Sequence, residues 1–238
     1  MGIARRIKKY KAKREQRKLV AQYSANAHPM QFDWDWKQVN YNRIALVNLL
    51  ISLSGDNPDY LEIGCADNEL FDSVIAASKT GVDPASGGTH RETSDSFFAS
   101  NTKTFDVVFI DGLHEYQQVR RDAQNSIQCL KPGGWIAFHD FLPRTWKEHH
   151  VPRLQGLWTG DCWKLAMELA ESEDIDFKIL NIDHGVGVMR LKKPNARITD
   201  LKDTLTDAQF DYFVDNHGKL PRTDWADGVA WIKSASAH

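Results

Sequence analysis

The chain has 238 residues, 42% hydrophobic and 26% charged, the composition of a globular protein able to bury one sizeable core in a single main domain. Its net charge of −2 hides an asymmetry: nine of the 30 Lys and Arg but only Glu15 of the 32 acids lie in residues 1–20, which leaves the body near −10. No apolar run approaches the roughly 18 residues of a membrane span, and the basic N-terminus lacks the apolar block of a secretion signal, so the sequence predicts a cytoplasmic protein.

Residues 1–27 read as a basic arm. Such a run suits contact with anionic lipid headgroups, nucleic acid or an acidic patch on a partner subunit, or is simply a solvated, partly helical extension. HPMQFDWDW (28–36) is aromatic and irregular. Apolar spacing at Ile44, Leu46, Val47 and Leu50 predicts a helix over 39–53, and the turn SGDNPD separates it from a buried strand, YLEIG (60–64). A helix over 69–78 follows, then the second strand around TGVDP, a Gly/Ser/Thr loop through His90 and a short helix over 94–100. From Phe105 the order is strand to Asp111, helix 115–130, turn KPGG and strand 135–140. His149 and His150 fall in a loop, where exposure is expected. Residues 162–172 read as a helix, and FKILNI and VGVMRL as two closing strands around the turn DHG. The three cysteines, Cys65, Cys129 and Cys162, contain no CxxC pair, which argues against a disulfide framework and a zinc cluster and predicts reduced thiols.

Strand and helix alternate, which predicts an α/β fold with a mostly parallel sheet and helices on both faces across residues 28–194. Residues 195–238 form a separate helical extension, with an acidic amphipathic helix over 200–214 and another short one after it. A lid, a dimer contact in a homo-oligomer and packing on the sheet all suit this extension, and packing is the reading its pattern favours.

In such a sheet, ligands bind outside the carboxyl ends of the strands. The first strand runs into Glu62-Ile63-Gly64-Cys65-Ala66-Asp67-Asn68, where a glycine lets the backbone approach a ligand and the next helix offers unpaired N–H groups. Asp83 ends the second strand 21 residues after Glu62, the distance at which an acid accepts hydrogen bonds from ribose hydroxyls. Two later strands end in acids beside histidines: Asp111 and His114 follow VVFI, and His139 and Asp140 follow WIAF. Their polar groups should meet in one crevice.

LEIGCADNELF, TGVDP, TSDSFF, FDVVFIDGLHEY, LKPGGWIAFHDF and GVGVM together resemble the class I S-adenosylmethionine-dependent methyltransferases, in particular the IDGxHxY-containing group of small-molecule and sugar O-methyltransferases. The resemblance covers about residues 60–191. It implies a Rossmann-like seven-stranded sheet with its last strand antiparallel. It also implies S-adenosylmethionine as cofactor, with Glu62 and Gly64 at the methionine end, Ala66 and Asn68 in the adjoining loop, Asp83 on the ribose, and Asp95 with Phe97 at the adenine. The loop departs from the family in being poor in glycine.

Methyl transfer to a hydroxyl needs an aligned nucleophile and a base or metal to deal with its proton. Asp111, His114 and His139 are the candidate catalytic residues. In related metal-dependent O-methyltransferases acids at these strand ends hold a divalent ion, so the resemblance suggests Asp111 and Asp140 as Mg ligands with His139 beside them. His139 stands where an acid is frequent, which leaves Mn, Fe, Zn or no metal open; without a metal His139 serves as general base. Each residue also has a local reading: His114 or Asp111 capping the following helix, Asp122 on its solvated face, Asp161 as a cap and Trp163 as core. Trp158, Asp161, Trp163 and Lys164 together suit a substrate wall for carbohydrate or aromatic acceptors.

The sequence therefore points to methylation of a small-molecule or sugar hydroxyl. A nucleic-acid methyltransferase using the basic arm is disfavoured by the missing [DN]PP[YF] segment and the acidic body, and an NAD dehydrogenase by the missing glycine fingerprint. A non-catalytic S-adenosylmethionine-binding module is the third alternative.

Overall fold

The computed structural model describes residues 3–236; the first two residues of the basic arm and the last two of the extension lie outside it. In chain order the elements are α1 (Ile3–Gln22), α2 (Arg43–Ser52), β1 (Asp59–Ile63), α3 (Glu69–Ser73), β2 (Ser78–Val82), α4 (Ser94–Ser100), β3 (Phe105–Ile110), α5 (Tyr116–Gln128), β4 (Leu130–Phe138), α6 (Trp146–His149), α7 (Trp163–Ala170), β5 (Ile175–Leu180), β6 (Val186–Leu191), α8 (Lys202–Leu205), α9 (Phe210–Asn216), β7 (Arg222–Thr223) and α10 (Trp225–Ser236).

The strands form one sheet in the order β2-β1-β3-β4-β6-β5-β7. β1, β2, β3 and β4 are parallel, β6 runs antiparallel to both β4 and β5, and β7 is parallel to β5. The seven-stranded, mostly parallel sheet is thus as expected, with the antiparallel strand at VGVMRL. The segment beyond 195 is continuous with the sheet, since it supplies β7. Both faces are covered, because a parallel sheet buried on each side needs apolar residues on both. On one side Leu61, Ile63, Val108 and Ile136 pack with residues of α5, α7 and α9. On the other, Tyr60, Val107, Phe109 and Trp135 pack with α2, α3 and α10.

Several elements differ from the sequence pattern for local reasons. α3 ends at Ser73, not near 78, because Asn48 of α2 takes over the backbone: its Nδ2 donates to the Ser73 carbonyl (3.0 Å) and its Oδ1 accepts from the Ile75 amide (2.8 Å). KPGG is no turn but part of β4, whose pairing with β3 shifts register between Phe105 and Val107. The expected helix over 200–214 is two, α8 and α9, and the buried Lys164 ammonium donates to the Thr206 carbonyl (2.9 Å) where they part. The last segment forms a helix of 12 residues, not a short one.

The two adjacent histidines are also unlike the expectation of exposure: His149 is 2% and His150 1% exposed. His149 ends α6 between Trp163, whose Nε1 donates to its Nδ1 (3.3 Å), and Phe210, whose ring stacks at 5.5 Å. The aromatic segment 28–36 then closes over this region. Phe32 N donates to the Arg144 carbonyl (2.9 Å), Trp34 Nε1 to the Pro143 carbonyl (3.1 Å), and Phe32 and Trp34 stack at 4.5 Å. α1 docks at its C-terminal end, through Gln16 Nε2 to the Leu154 carbonyl (2.8 Å) and the ring pair Tyr23–His150 (4.5 Å).

Burial in this apolar setting pushes the His149 imidazole down to about 3, with the neighbouring His150 and Lys164 adding to the effect. A depressed value means that the folded state prefers the neutral ring; the stability it confers is full above the unfolded value near 6.5 and is lost as pH falls toward 3. Between pH 6.5 and 5 the wild type should lose about 2 kcal/mol of urea stability that His149→Phe keeps, at about 1.4 kcal/mol per pH unit. Equal losses in both proteins would show that His149 is free to take up its proton in the fold.

Candidate active site

β1 leads to β2 on one side, whereas β3 lies on its other side, so the chain reverses direction across the sheet between β1 and β3. A crevice opens at such a reversal, beyond the strands' carboxyl ends. Its floor is a staircase of backbone bonds: Gly64 N to the Val82 carbonyl (2.9 Å), Asp111 N to Ile63 (2.8 Å) and His139 N to Ile110 (3.1 Å). Gly64, at φ 89°, lies so close to Asp111 that a Cβ would sit well under 3.0 Å from the Asp111 carbonyl oxygen. Only glycine serves there.

Above this floor lies a cavity of about 730 Å³ lined by Gly64, Ala66, Asp83, Ser94, Asp95, Asp111, His114, Gln118, His139, Asp140, Trp158 and His184, among others. At one end Asp83 accepts from Ala66 N (2.9 Å) through Oδ2 and from Ala85 N (2.7 Å) and Ser86 N (2.8 Å) through Oδ1. Burial raises its carboxyl, but these donors and Arg91 outweigh that and hold it below the usual range, so it is ionised with lone pairs still free on Oδ2. Ala66 (φ 46°) and Asn68 (φ 66°) both adopt the left-handed conformation that glycine favours. The loop keeps a glycine-like path at the cost of strain, and Asn68 braces it by accepting the Gly88 amide (2.7 Å) on Oδ1.

The other end is ionic. His139 Nδ1 lies 3.2 Å from Asp111 Oδ1 and 3.4 Å from Asp140 Oδ1. His114 Nε2 lies 3.3 Å from Asp111 Oδ1, and its Nδ1 faces both Asp140 Oδ2 (3.0 Å) and the Trp158 carbonyl (2.9 Å). Two acceptors at Nδ1 fix a proton there. Burial lowers the affinity of both rings for a proton, but the carboxylates prevail: His114 is raised to about 8 and His139 further above its ordinary value. Asp111 is correspondingly held far below the usual carboxylate range despite its burial. Asp140 itself has φ 65°, a left-handed conformation that costs a non-glycine residue about 1–2 kcal/mol. The chain after it is tied to the β5–β6 turn by Phe141 N to the Gly185 carbonyl (3.1 Å) and Leu142 N to His184 (2.9 Å).

Asp111, His139 and Asp140 each offer a ligand atom, all within 4.8 Å of one another, and the mix of hard oxygens and one imidazole suits a first-row or alkaline-earth divalent ion. The residues fit a metal.

Residues 54–141 match the family model for a methyltransferase domain. The match covers the segment from just after α2 to the strand end that carries His139 and Asp140. Among solved structures, a Klebsiella pneumoniae protein described as an O-methyltransferase is 14% identical, with 65% of this chain and 82% of that one covered at a TM-score of 0.50. The likeness establishes a shared fold. A Bacillus cereus O-methyltransferase in complex with S-adenosylhomocysteine is 16% identical over 76% of this chain and 90% of the other (TM-score 0.45). The MycE methyltransferase of mycinamycin biosynthesis, in complex with Mg, S-adenosylhomocysteine and mycinamycin VI, is 16% identical over 61% and 48% (TM-score 0.42), so the chain spans about half of that protein. No curated protein sequence matches.

The cavity gathers most of the residues singled out in the sequence. Gly64, Ala66, Asp83, Asp95, Asp111, His114, His139 and Asp140 all line the cavity. Glu62, Asn68 and Phe97 stand behind its wall: Glu62 accepts the Tyr60 hydroxyl (2.6 Å), and burial lifts its carboxyl to about 7, while Phe97 is buried against His90. Neither Asp111 nor His114 caps α5. Asp161 does, accepting the Tyr116 amide (2.7 Å) across the cavity wall while pairing with Lys164 (2.9 Å). Trp158 faces the cavity and stacks on His114 at 5.2 Å, whereas Trp163 is core. Asp122 is not on a solvated face: it is 1% exposed, takes a hydrogen bond from Gln118 (3.0 Å) and is raised by burial to about 6. The sequence reading passed over Asp183 and His184, treating DHG only as a turn; its position at a strand end was the available signal.

Gly64→Ala tests the closeness of β1 and β3 directly. A methyl group there meets backbone and not a movable side chain, so the variant should lose more than ~3 kcal/mol of urea stability or fail to fold. A loss under 1 kcal/mol would mean that the strand ends can separate.

Proposed function

We propose that the protein is an S-adenosylmethionine-dependent O-methyltransferase acting on the hydroxyl of a small molecule, with a sugar or glycan precursor as the first acceptor class. The observation that carries the reading is one cavity with Gly64, Ala66 and Asp83 at one end and, at the other, a histidine, His114, whose Nδ1 is held by two acceptors. The volume lies within the ~300–1,000 Å³ common to cofactor sites. Gly64 and Ala66 would border the methionine part and Asp83 the ribose; Ser94, Asp95 and Gln118 supply polar groups for the adenine edge, and Glu62, Asn68 and Phe97 support this wall from behind. The three free, buried cysteines suit a reducing, cytoplasmic setting.

When bound, S-adenosylmethionine supplies an electrophilic methyl group on a sulfonium sulfur. The acceptor hydroxyl attacks it: a C–O bond forms, the C–S bond breaks with its electron pair left on sulfur, and the hydroxyl proton passes to Nε2 of His114 in its neutral form, which the raised value of about 8 makes the major form only at mildly alkaline pH. Asp140 and the Trp158 carbonyl hold the Nδ1–H, which leaves Nε2, 3.3 Å from Asp111 Oδ1, as the basic nitrogen once the ring is neutral. Asp111, His139 and Asp140 are the residues to hold a divalent ion, which would polarise the acceptor oxygen. Leu113 and Leu157, about half exposed at the cavity mouth beside Trp158, favour an acceptor with an apolar or ring face next to its hydroxyl.

Calorimetry with S-adenosylmethionine and S-adenosylhomocysteine should show binding of both, weakened roughly 10-fold or more by Asp83→Ala, through loss of charge-assisted hydrogen bonds. No binding to the unmodified chain overturns the reading. On an accepted hydroxyl substrate, His114→Ala should lower kcat by ~10²–10⁴ with S-adenosylhomocysteine affinity unchanged. EDTA should suppress turnover, and added Mg should restore it in the wild type but not in Asp140→Ala. Full activity in EDTA would assign the reaction to the histidines alone.

A further inference from the structure

The turn between β5 and β6 is Asp183-His184-Gly185, and all three residues are left-handed, with φ 41°, 63° and 84°. Glycine would take this path without strain, yet two side chains stand there, and both reach the site. His184 lines the cavity, under the ring of Trp36 at 4.9 Å. Asp183 is fixed from the far side by Arg43, which donates to Oδ2 from Nη1 (2.8 Å) and from its backbone amide (3.2 Å). Arg43 is itself held by Glu69 of α3 through Nη2 (2.6 Å). The remaining oxygen, Asp183 Oδ1, points at His139 Nε2 from 3.5 Å.

That nitrogen is buried and has no hydrogen-bond partner within bonding geometry among the described residues, while the other nitrogen of the ring faces Asp111 and Asp140. An imidazole that ligates a metal through one nitrogen needs a proton on the other and an acceptor to hold it there; a carboxylate behind the ring supplies both the tautomer and the orientation. Among the described residues, Asp183 is the one carboxylate that the geometry puts on that side of His139. A shortening of a few tenths of an ångström completes the bond.

We propose that Asp183 is a positioning residue for the metal site: it accepts Nε2–H of His139, so that the Nδ1 lone pair is aimed at the ion shared with Asp111 and Asp140. The proposal rests on the metal reading above. It makes Arg43 and the strained turn part of the same device, since the guanidinium and the β5–β6 pairing decide where the carboxylate stands. Asp183 touches neither acceptor nor cofactor in this role.

The test is Mn(II) binding to the full chain, followed by electron paramagnetic resonance, in the wild type, Asp183→Ala, Asp183→Asn and Asp140→Ala, with thermal melts to establish folding. Removing an outer carboxylate should weaken Mn(II) by about 10- to 100-fold in Asp183→Ala. Asp183→Asn keeps an acceptor oxygen and should retain most of the affinity, within several-fold of wild type. In the Mg-loaded wild type, long-range proton–nitrogen correlations should place the His139 proton on Nε2, and Asp183→Ala should lose that fixed tautomer. Wild-type affinity in a folded Asp183→Ala, or a proton on Nδ1 in the loaded wild type, overturns the proposal and leaves the metal site intact. If Asp183→Ala does not fold, an equally large loss in Asp183→Asn as in Asp140→Ala also overturns it. Failure of the wild type to bind Mn(II) at all, with S-adenosylmethionine binding preserved, removes the metal reading itself.

Discussion

The contact on which the site depends is the approach of two backbones, Gly64 at the end of β1 and Asp111 at the end of β3, with no side chain between them. Because β1 is bonded to β2 on one side and β3 on the other, this is the place where the sheet's connections diverge and leave an open crevice. Each later strand end is bonded to the one before, Asp111 N to Ile63 and His139 N to Ile110, so functional side chains stand on neighbouring strands. Strands are about 4.8 Å apart, which lets Asp111 and His139 reach one another at 3.2 Å without distorting either strand. A substituent at position 64 would disturb all these spacings together.

The ionic end of the cavity is a poor way to stabilise a fold. Asp111, Asp140 and Asp183 surround His139 and His114 in a region where desolvation opposes every charge, and apolar residues of similar volume would commonly serve stability as well or better. Asp140, Asp183 and His184 add backbone strain to that cost. The cost is tolerated because it is local: the two apolar layers on either face of the sheet, one with Leu61, Val108 and Ile136 and the other with Tyr60, Phe109 and Trp135, are independent of it. The concentration of buried charge and strain at one end of the sheet marks a site selected for chemistry.

The parts of the site that were legible in the sequence are those carried by short range. A buried strand followed by glycine, and strands ending in acid and histidine, announce themselves within a few residues, which is why Gly64, Asp83, Asp111, His114, His139 and Asp140 could be named together. What stayed hidden depends on long-range pairing. Asp183 reaches His139 only because β6 turns back to pair with β4, placing Phe138 opposite Gly187, and a single strand's pattern does not contain that registry. The burial of His149 depends on Trp163 and Phe210, 14 and 61 residues further on, so adjacent polar histidines looked like surface. Asp122 looked solvated because its periodicity on α5 does not reveal α4, whose Ser94 hydroxyl accepts from the same Gln118 amide that donates to Asp122. α3 stopped early through the side chain of Asn48, again a distant partner.

The same long-range closure explains why the site has one polar floor and one apolar lip. Segment 28–36 is pinned on the loop after Asp140 by Trp34 Nε1 and Phe32 N, and Asn181 Nδ2 donates to the Trp34 carbonyl (2.5 Å), so the strap, that loop and the end of β5 are tied together. Trp36 at the end of the strap packs on His184, which closes the cavity on the side of His139 and Asp140. Opposite, Leu113 and Leu157 stay open to solvent beside the half-buried Trp158. An acceptor of the proposed kind, entering across that lip, would lose water from its ring or apolar face first and meet charge only at its hydroxyl. In the proposed reaction, burial of the body would supply binding that is the same before and during transfer, while His114 and the Asp111–His139–Asp140 group would act on the one oxygen whose charge changes. On that proposal the division would place discrimination between acceptors at the lip and acceleration at the floor, and residues 113 and 156–158 would be the segment where substrate choice can change without altering the chemistry.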